Sequence, residues 1–446
     1  MTEFNSAFNR YCKTYGRPDR IDLMLCDING VLRGKWFPAD HVEKLEEGGV
    51  RLPLSTYAPN IFGEEVEESG YGIAVGDPDC QVFPIPGSLS PVTWESSNVA
   101  QVLVEMETID GTITELSPRG ILSNIGAQYS EQGLRPVIGC ELEFYIFDKR
   151  PSLDSPPIPN RSEPKAQNYD MEVLDRNKEF LLELQEACKT QSLDSDVIVA
   201  EFGPGQFEVN FQHTDDIVGA ADTAVLFRRI VRGVALKYGK EATFMAKPYT
   251  EFPGSGMHLH ASVLNELGKN IFSQPKGVSQ VLKHAVSGVL STMRDLQAIF
   301  APHMNSYRRF QPNSFAPSAP NWGLDNRNAA VRLPDINNKG ARLEHRICGA
   351  DVNPYLAFSG ILGGILYGIK EKKLPPLPIE IDEIDPAERL TTNWLEAVER
   401  FAQSEIAAEI FGFEYCRVYA AIRRNEIEQL SRIIPPIEYQ VYLSRF

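Results

Sequence analysis

Four short segments of this chain carry side chains able to hold divalent cations, each at the spacing of an extended strand. In residues 140–145 (CELEFY), Glu141 and Glu143 are two apart. A strand projects both carboxylates from one face, while Cys140, Leu142 and Phe144 face the other way. Glu201 and Glu208 flank the sequence FGPGQF, whose Gly-Pro-Gly predicts a tight turn bringing two adjacent strands and their carboxylates together. His258 and His260 share a face of MHLHASV with Ser262, and in ARLEHRI Glu344 lies between Arg342 and Arg346. Singly, each pattern has an ordinary explanation: a wet sheet face, two hydrogen-bonded histidines, a surface ion-pair ladder worth little. In combination they point to metal. The glutamates sit among aromatic and β-branched neighbours, which predicts partial burial, and buried carboxylates need cations. Oxygen-rich sites suit Mg2+ or Mn2+, and a histidine at one site favours tolerance of Mn2+. Two such ions commonly serve phosphoryl transfer from a nucleotide.

No Walker A sequence is present and no GxGxxG follows a strand, so a nucleotide has to be held by metals and arginines. Arg308, Arg309, Arg327, Arg332, Arg342 and Arg346 lie near the same strands. Planar, permanently charged guanidinium groups suit phosphates and carboxylates, although any one of them alone is ordinarily a solvated surface charge.

These segments need a scaffold. Up to about residue 115 the pattern is of short strands broken by Gly and Pro: residues 21–30 run into a turn, 31–38 return, and 98–105 form another strand. Asp110-Gly111 is a hairpin signal. Ser117-Pro118-Arg119 opens an amphipathic helix, with Pro118 suited to the first helical position. The boundary between a strand-rich domain, 1–115, and a larger one, 116–446, is placed there. In the larger part strands alternate with helices. Strands are expected at 136–148, in VIVAEF, FEVNFQ, MHLHASV, AVRLP and ARLEHRI. Helices are expected at 177–190, 220–237, 278–300 and through most of the last hundred residues. Residues 150–168 and 305–326 read as loops, and loops of such length inside a domain usually serve function.

Bulk properties narrow the function classes. A chain of 446 residues is too long for one core, so two domains are the natural expectation. The formal net charge of −16 and a pI near 5.0 argue against nucleic acid as a main partner and suit handling of metals and amines. Seven cysteines, an odd count with no CxxC, imply free thiols in a reducing compartment. Residues 1–13 lack a signal-peptide pattern, and the longest apolar stretch, 356–369, is glycine-interrupted and too short to span a bilayer. A cytoplasmic protein, away from membranes, is expected.

The motifs CELEF, AEFGPGQFEVN, GSGMHLH, NSYRRF, NRNAAVRLP and ARLEHR…NPYLAF, in this order, resemble those of the glutamine synthetases over nearly the whole chain. The resemblance implies an α+β protein with a small β-grasp-like N-terminal domain and a larger catalytic domain built on an antiparallel active-site sheet with helices. It implies stacked rings, commonly dodecamers, with active sites shared between neighbouring subunits. ATP and glutamate are the implied substrates, with two or three Mg2+ or Mn2+ ions per site. One metal site matches Glu143, Glu201 and Glu208, the other Glu141, His258 and Glu344. Nucleotide-contacting positions match Asp196, His260, Ser262, Arg332, Lys339 and Arg342. Glutamate is gripped at Gly254, Arg309 and Arg346, and Arg327 matches the arginine that steadies the transferring phosphoryl group.

Departures from the pattern bear on the nucleophile. Ammonia-using members carry a flap glutamate that helps deprotonate ammonium, and by spacing from Arg309 that position is Phe315. They also carry an N-terminal aspartate that binds ammonium, and the matching segment, TYAPNIFG (56–63), has Ala58 or Asn60 there. The tyrosine that some bacterial members adenylylate has no counterpart in KEKKLPPLP (370–378). Within the superfamily, DINGVLRGKWFP, ATFMAKPY and NSYRRFQP are most similar to the γ-glutamylpolyamine synthetases, including those acting on putrescine. The implied activity is ligation of the γ-carboxylate of glutamate to an amine such as putrescine, another polyamine or a monoamine, as in polyamine catabolism. The amine pocket would be lined by Phe315, Tyr57 and Tyr169, and a distal ammonium could meet the acidic residues 64–68. The alternatives are a glutamine synthetase using ammonia, or a structural or regulatory protein that kept the fold and lost the chemistry. Retention of all six metal-ligand positions weighs against the last.

Overall fold

The computed structural model describes residues 3–160, 163–311, 314–380 and 389–446. Its first sheet follows from apolar runs that can be buried on both faces. β1 (Arg20–Cys26) buries every residue from Ile21 on, and β6 (Val99–Glu107) buries all but its last. The two pair in parallel at the centre. β2 (Leu32–Pro38), far more exposed, closes one edge, while β4 (Asp79–Pro84) and β3 (Arg51–Pro53) extend the other and β5 (Ser90–Pro91) also pairs with β6. This is the expected β-grasp-like sheet. It is preceded by a helix, Glu3–Tyr15, that a strand-only reading of the first hundred residues misses. Phe4, Ala7, Phe8 and Tyr11 are its buried residues, and their three-to-four spacing is the helical signature.

The chain then makes the turn at Asp110-Gly111, with the Thr108 N–H donating to the Thr112 carbonyl at 2.9 Å, and enters the helix Pro118–Glu131. Pro118 occupies the first turn and the Ser117 hydroxyl accepts from the Gly120 N–H at 2.9 Å, an N-cap that satisfies one orphan donor.

The second sheet carries the chemistry. Its strands are β7 (Leu134–Asp148), β8 (Ser195–Ala200), β9 (Gln206–Phe211), β10 (Lys240–Thr243), β11 (Met257–Asn265), β12 (Trp322–Leu324), β13 (Val331–Asp335) and β14 (Arg342–His345). They lie in the order β12-β13-β14-β11-β7-β9-β8, with β10 also on β7. Every pairing is antiparallel except β12 with β13. One face is apolar: Cys140, Leu142 and Phe144 point into the core, where Phe144 packs on Phe227 and Phe244 at centroid distances of 5.9 and 5.6 Å. The helix Ile217–Lys237 supplies Phe227.

The apolar stretch at 356–369 belongs to the buried helix Pro354–Glu371. Its glycines let the helix Gln280–Thr292 approach closely. A Cβ on Gly288 would meet the Gly364 carbonyl oxygen at 2.1 Å and Gly368 Cα at 2.5 Å. No described helix is long and apolar enough to cross a membrane. The helix expected over 278–300 is broken into Gln280–Thr292 and Gln297–Phe300. The segment 305–326 is not wholly loop, for it contains the turn Ser306–Arg309 and β12; residues 312–313 of it, and 161–162 of the 150–168 loop, lie outside the described residues.

Candidate active site

Strand register assembles the acidic cluster. β7 against β11 sets Glu141 opposite His258, β7 against β9 sets Glu143 opposite Glu208, and β11 against β14 sets His260 opposite Glu344. Side chains on one face alternate, so each strand that contributes two ligands contributes both to the same side. Glu201 arrives from the turn after β8. That turn needs Gly205 in the left-handed region, at φ +77°, and its Glu201 N–H donates to the Gln206 carbonyl at 2.9 Å. Buried Gln167 clamps it, donating to the carbonyls of Glu201 and Gln206 at 3.0 and 3.1 Å and accepting from the Gly205 N–H at 2.9 Å.

These groups line a cavity of about 840 Å³. Its wall includes Glu141, Glu143, Glu201, Glu208, His258 and Glu344, and with them Asp196, His260, Arg332 and Arg342. Gly254, Arg309, Arg346, Arg327, Phe315 and Tyr169 also face it. Arg308 does not: it is exposed while its neighbour Arg309 is buried. Ser262 and Lys339 are not part of the wall either. Ser262 lies further along β11, and Lys339 is exposed on the turn Asn338–Gly340.

Tyr57 corrects an expectation. It is 2% exposed in the interior of the N-terminal region, with its hydroxyl on the Glu105 carboxylate, so it cannot line an amine pocket. An aromatic at the end of a polar loop reads as accessible in sequence; here the short turn Leu54–Tyr57 folds it inward. Tyr169 and Phe315 do reach the cavity. Tyr169 has φ +66°, a left-handed conformation unusual for a bulky residue, and accepts a long hydrogen bond from Arg327 at 3.4 Å. Phe315 is 67% exposed and packs on Phe202, ring centroids 5.2 Å apart.

The electrostatics divide the carboxylates. Glu141 receives His258 Nδ1 at 3.1 Å and His260 Nε2 at 3.0 Å. Burial works against its charge, but the two histidines outweigh burial and hold it below the ordinary carboxylate range. Glu344 is buried yet also held low, by Arg346 in direct contact and by His258; Arg332 lies 3.0 Å away. The opposite holds for the other three. Burial and then repulsion from Glu201 push Glu143 up to about 8. Burial likewise raises Glu201 and Glu208, with repulsion from neighbouring glutamates adding to it. Burial and Arg346 keep His258 below its usual value, leaving a neutral ring with a lone pair to offer.

Among the described residues, neither Glu201 nor Glu208 is ion-paired with a protein cation. That is the state expected of ligands whose partner is a metal ion. Ligating atoms of Glu141, Glu208 and His258 lie within 4.8 Å of one another, as do those of Glu141, His260 and Glu344. Both triads mix carboxylate oxygen and imidazole nitrogen, which fits Mg2+ or Mn2+. This grouping differs from the one implied by resemblance, since His260 joins a triad and Glu143 and Glu201 stand outside both.

Sequence reading missed several wall residues: Phe202, Gln206, His213 and Lys247. Gln206 was within reach, being part of the GPGQ turn; its amide donates to Glu143 at 3.2 Å and to the Gly254 carbonyl at 3.1 Å. His213 stacks on His260, ring centroids 5.7 Å apart, and nothing in its sequence neighbourhood signals that.

Comparison with known proteins agrees with this architecture. Residues 115–442 match the family model for the glutamine synthetase catalytic domain. The chain is 36% identical to γ-glutamylputrescine synthetase of Escherichia coli strain K12, over 98% of this chain and 94% of that one. It is 33% identical to glutamine synthetase of Pyrococcus abyssi, over 92% and 90%. A solved structure described as a GmaS/ADP complex superposes with a TM-score of 0.85 over 98% of this chain and 99% of that chain; at 24% identity this shows the fold. The chain therefore belongs to the glutamine synthetase family and is a ligase of that type.

Proposed function

We propose that this protein uses ATP to join the γ-carboxylate of glutamate to an amine larger than ammonia. The observation that carries the reading is the aromatic lip. Phe315 packs on Phe202 and lines the cavity with Tyr169, and by its spacing from Arg309 it matches the position of the carboxylate in the ammonia-using pattern. Ammonium is small and fully charged and needs a carboxylate to hold and deprotonate it; an apolar lip instead packs against methylenes. The relative that joins putrescine supports the same choice.

The chemistry has two steps. A γ-carboxylate oxygen of glutamate attacks the terminal phosphorus of ATP, forming γ-glutamyl phosphate and releasing ADP. The amine nitrogen then attacks the acyl carbon, phosphate leaves, and the nitrogen loses a proton. Glu141, Glu143, Glu201, Glu208, His258 and Glu344 would hold two or three Mg2+ or Mn2+ ions, which supply charge neutralisation for the phosphates when bound. Asp196, His260, Ser262, Arg332, Lys339 and Arg342 are assigned to the nucleotide. The placement of Ser262 and Lys339 off the wall means that they would act at its edge. Arg327 stabilises charge on the transferring phosphoryl group. Gly254, Arg309 and Arg346 orient glutamate.

The reading extends to a dodecamer with shared active sites, in the cytoplasm, serving amine or polyamine catabolism. The segment reaching a neighbour would be 61–63, where Ile61 and Phe62 are exposed, and not Tyr57 or the equally buried residues 58–60. Seven free cysteines accord with a reducing compartment.

The test is ADP release with glutamate held fixed and a panel of putrescine, spermidine, ethanolamine, an aromatic amine and ammonium. The expected result is a kcat/KM for the best amine about a hundredfold or more above ammonium. Comparable values for ammonium and every amine return the chain to glutamine synthetase proper, and no ADP release with any of them leaves only a structural or regulatory role.

A further inference from the structure

Lys247 lines the cavity, and neither the metal cluster nor the phosphate-facing arginines account for it. Its backbone is locked in place. Its N–H donates to Asn305 Oδ1 at 2.8 Å, and its carbonyl accepts from Asn305 Nδ2 at 3.0 Å. Asn305 immediately precedes the turn Ser306–Arg309 that delivers Arg309. One side chain thus ties the position of Lys247 to that of Arg309.

Gly254 lies between the two. The Ser255 N–H donates to the carbonyl of Ala246, the residue before Lys247, at 2.9 Å. A Cβ on Gly254 would meet that carbonyl oxygen at 2.5 Å and Arg309 Cγ at 2.9 Å. Only glycine lets the segment carrying Lys247 and the arginine stem close on one wall. Lys247 Nζ donates to the Phe252 carbonyl, which uses one of three ammonium hydrogens and leaves two. The buried Arg309 guanidinium donates through Nη1 to the Ile347 carbonyl at 2.7 Å. Among the described residues, neither cation is in ion-pair contact with a carboxylate. Arg309 is buried, with Glu143 and Asp351 as its acidic surroundings, and half-buried Lys247 has Glu251 nearby; both cations keep donors free of any carboxylate contact, so the wall they share can accept an anion from outside the chain.

We propose that Lys247 is a substrate-binding residue that, beside Arg309, holds the α-carboxylate of the amino-acid substrate. Glutamate has two carboxylates. The γ-carboxylate must lie at the phosphoryl-transfer end, among the metal-ligating glutamates, which leaves the α-carboxylate for the wall at Gly254. The inference rests on the ligase reading.

The experiment compares K247M and K247R with the unaltered enzyme in ADP release, using whichever nucleophile the unaltered enzyme prefers. K247M is expected to raise the KM for glutamate about tenfold or more, the scale of a lost charge-assisted hydrogen bond, with the KM for ATP unchanged. K247R, which keeps the cation, is expected to recover most of the glutamate affinity. An unchanged glutamate KM in K247M overturns the proposal, as does a rise in the ATP KM alone, which would place Lys247 on phosphate. Should K247M fail to fold, judged by its melting temperature, K247Q carries the same reading, since it keeps a donor for the Phe252 carbonyl without the charge. Failure of the ligase reading is separately visible, as absence of glutamate-dependent ADP release in the unaltered enzyme.

Discussion

The acidic floor of the cavity and its aromatic lip are built by different means. The floor comes mostly from strands: Glu141, Glu143, Glu208, His258 and Glu344 all sit in β7, β9, β11 or β14, where register pairs them across the ladder, and Glu201 joins them from the tight turn after β8. The lip comes from connections: Phe202 follows β8, Tyr169 sits in a left-handed turn, and Phe315 stands exposed in the segment between Arg309 and β12. A ladder fixes positions because shifting one strand by a residue would turn every ligand to the other face. A loop residue can be exchanged without disturbing its neighbours. In the proposed function, the reaction is written into the sheet and the choice of nucleophile into the loops.

The sharpest way to break that comparison is to remove one floor carboxylate. Glu201→Ala and Glu208→Ala are each expected to lower ADP release by roughly a thousandfold while leaving the protein folded. Activity close to the unaltered enzyme in saturating Mg2+ for both variants would remove them from the metal site.

A lip substitution should act on selectivity and leave the reaction itself in place. Phe315→Glu places a carboxylate on the lip, and it is expected to narrow the amine-over-ammonium ratio of kcat/KM about tenfold. A fall in turnover with all nucleophiles alike, at an unchanged ratio, would mean that Phe315 belongs to the catalytic machinery.

The smallest effect is on stability. In metal-free protein, burial and repulsion raise the carboxyl of Glu143 from an ordinary 4.5 to about 8, and Glu201 and Glu208 move the same way. Between those values the folded state binds more protons than the unfolded one, so their contribution to stability falls as pH rises through that window. Saturating Mg2+ should flatten the trend, because the ion replaces the protons. Melting temperatures in EDTA and in Mg2+ across pH 5 to 8 measure it. A metal-free melting temperature that climbs steadily over that range would contradict the assignment.

Much of the floor is legible in the sequence. Residues two apart on a strand must share a face, so Glu141 with Glu143 and His258 with His260 were paired by periodicity alone, and Gly-Pro-Gly announced the turn between Glu201 and Glu208. The N-terminal helix was legible too, in the spacing of Phe4, Ala7, Phe8 and Tyr11, but the strand signals that follow it obscured it. Three matters were decided only by tertiary structure. Strand register, a contact between segments over a hundred residues apart, set His258 opposite Glu141 and brought His260 within ligating distance of Glu141 and Glu344. Burial, which depends on what lies above a loop, turned Tyr57 inward to Glu105 and left Phe315 outside. And the close packing at Gly254 brought the segment carrying Lys247 near the Arg309 stem, a proximity no local pattern encodes, because it rests on the Ser255–Ala246 backbone hydrogen bond and a clamp from Asn305.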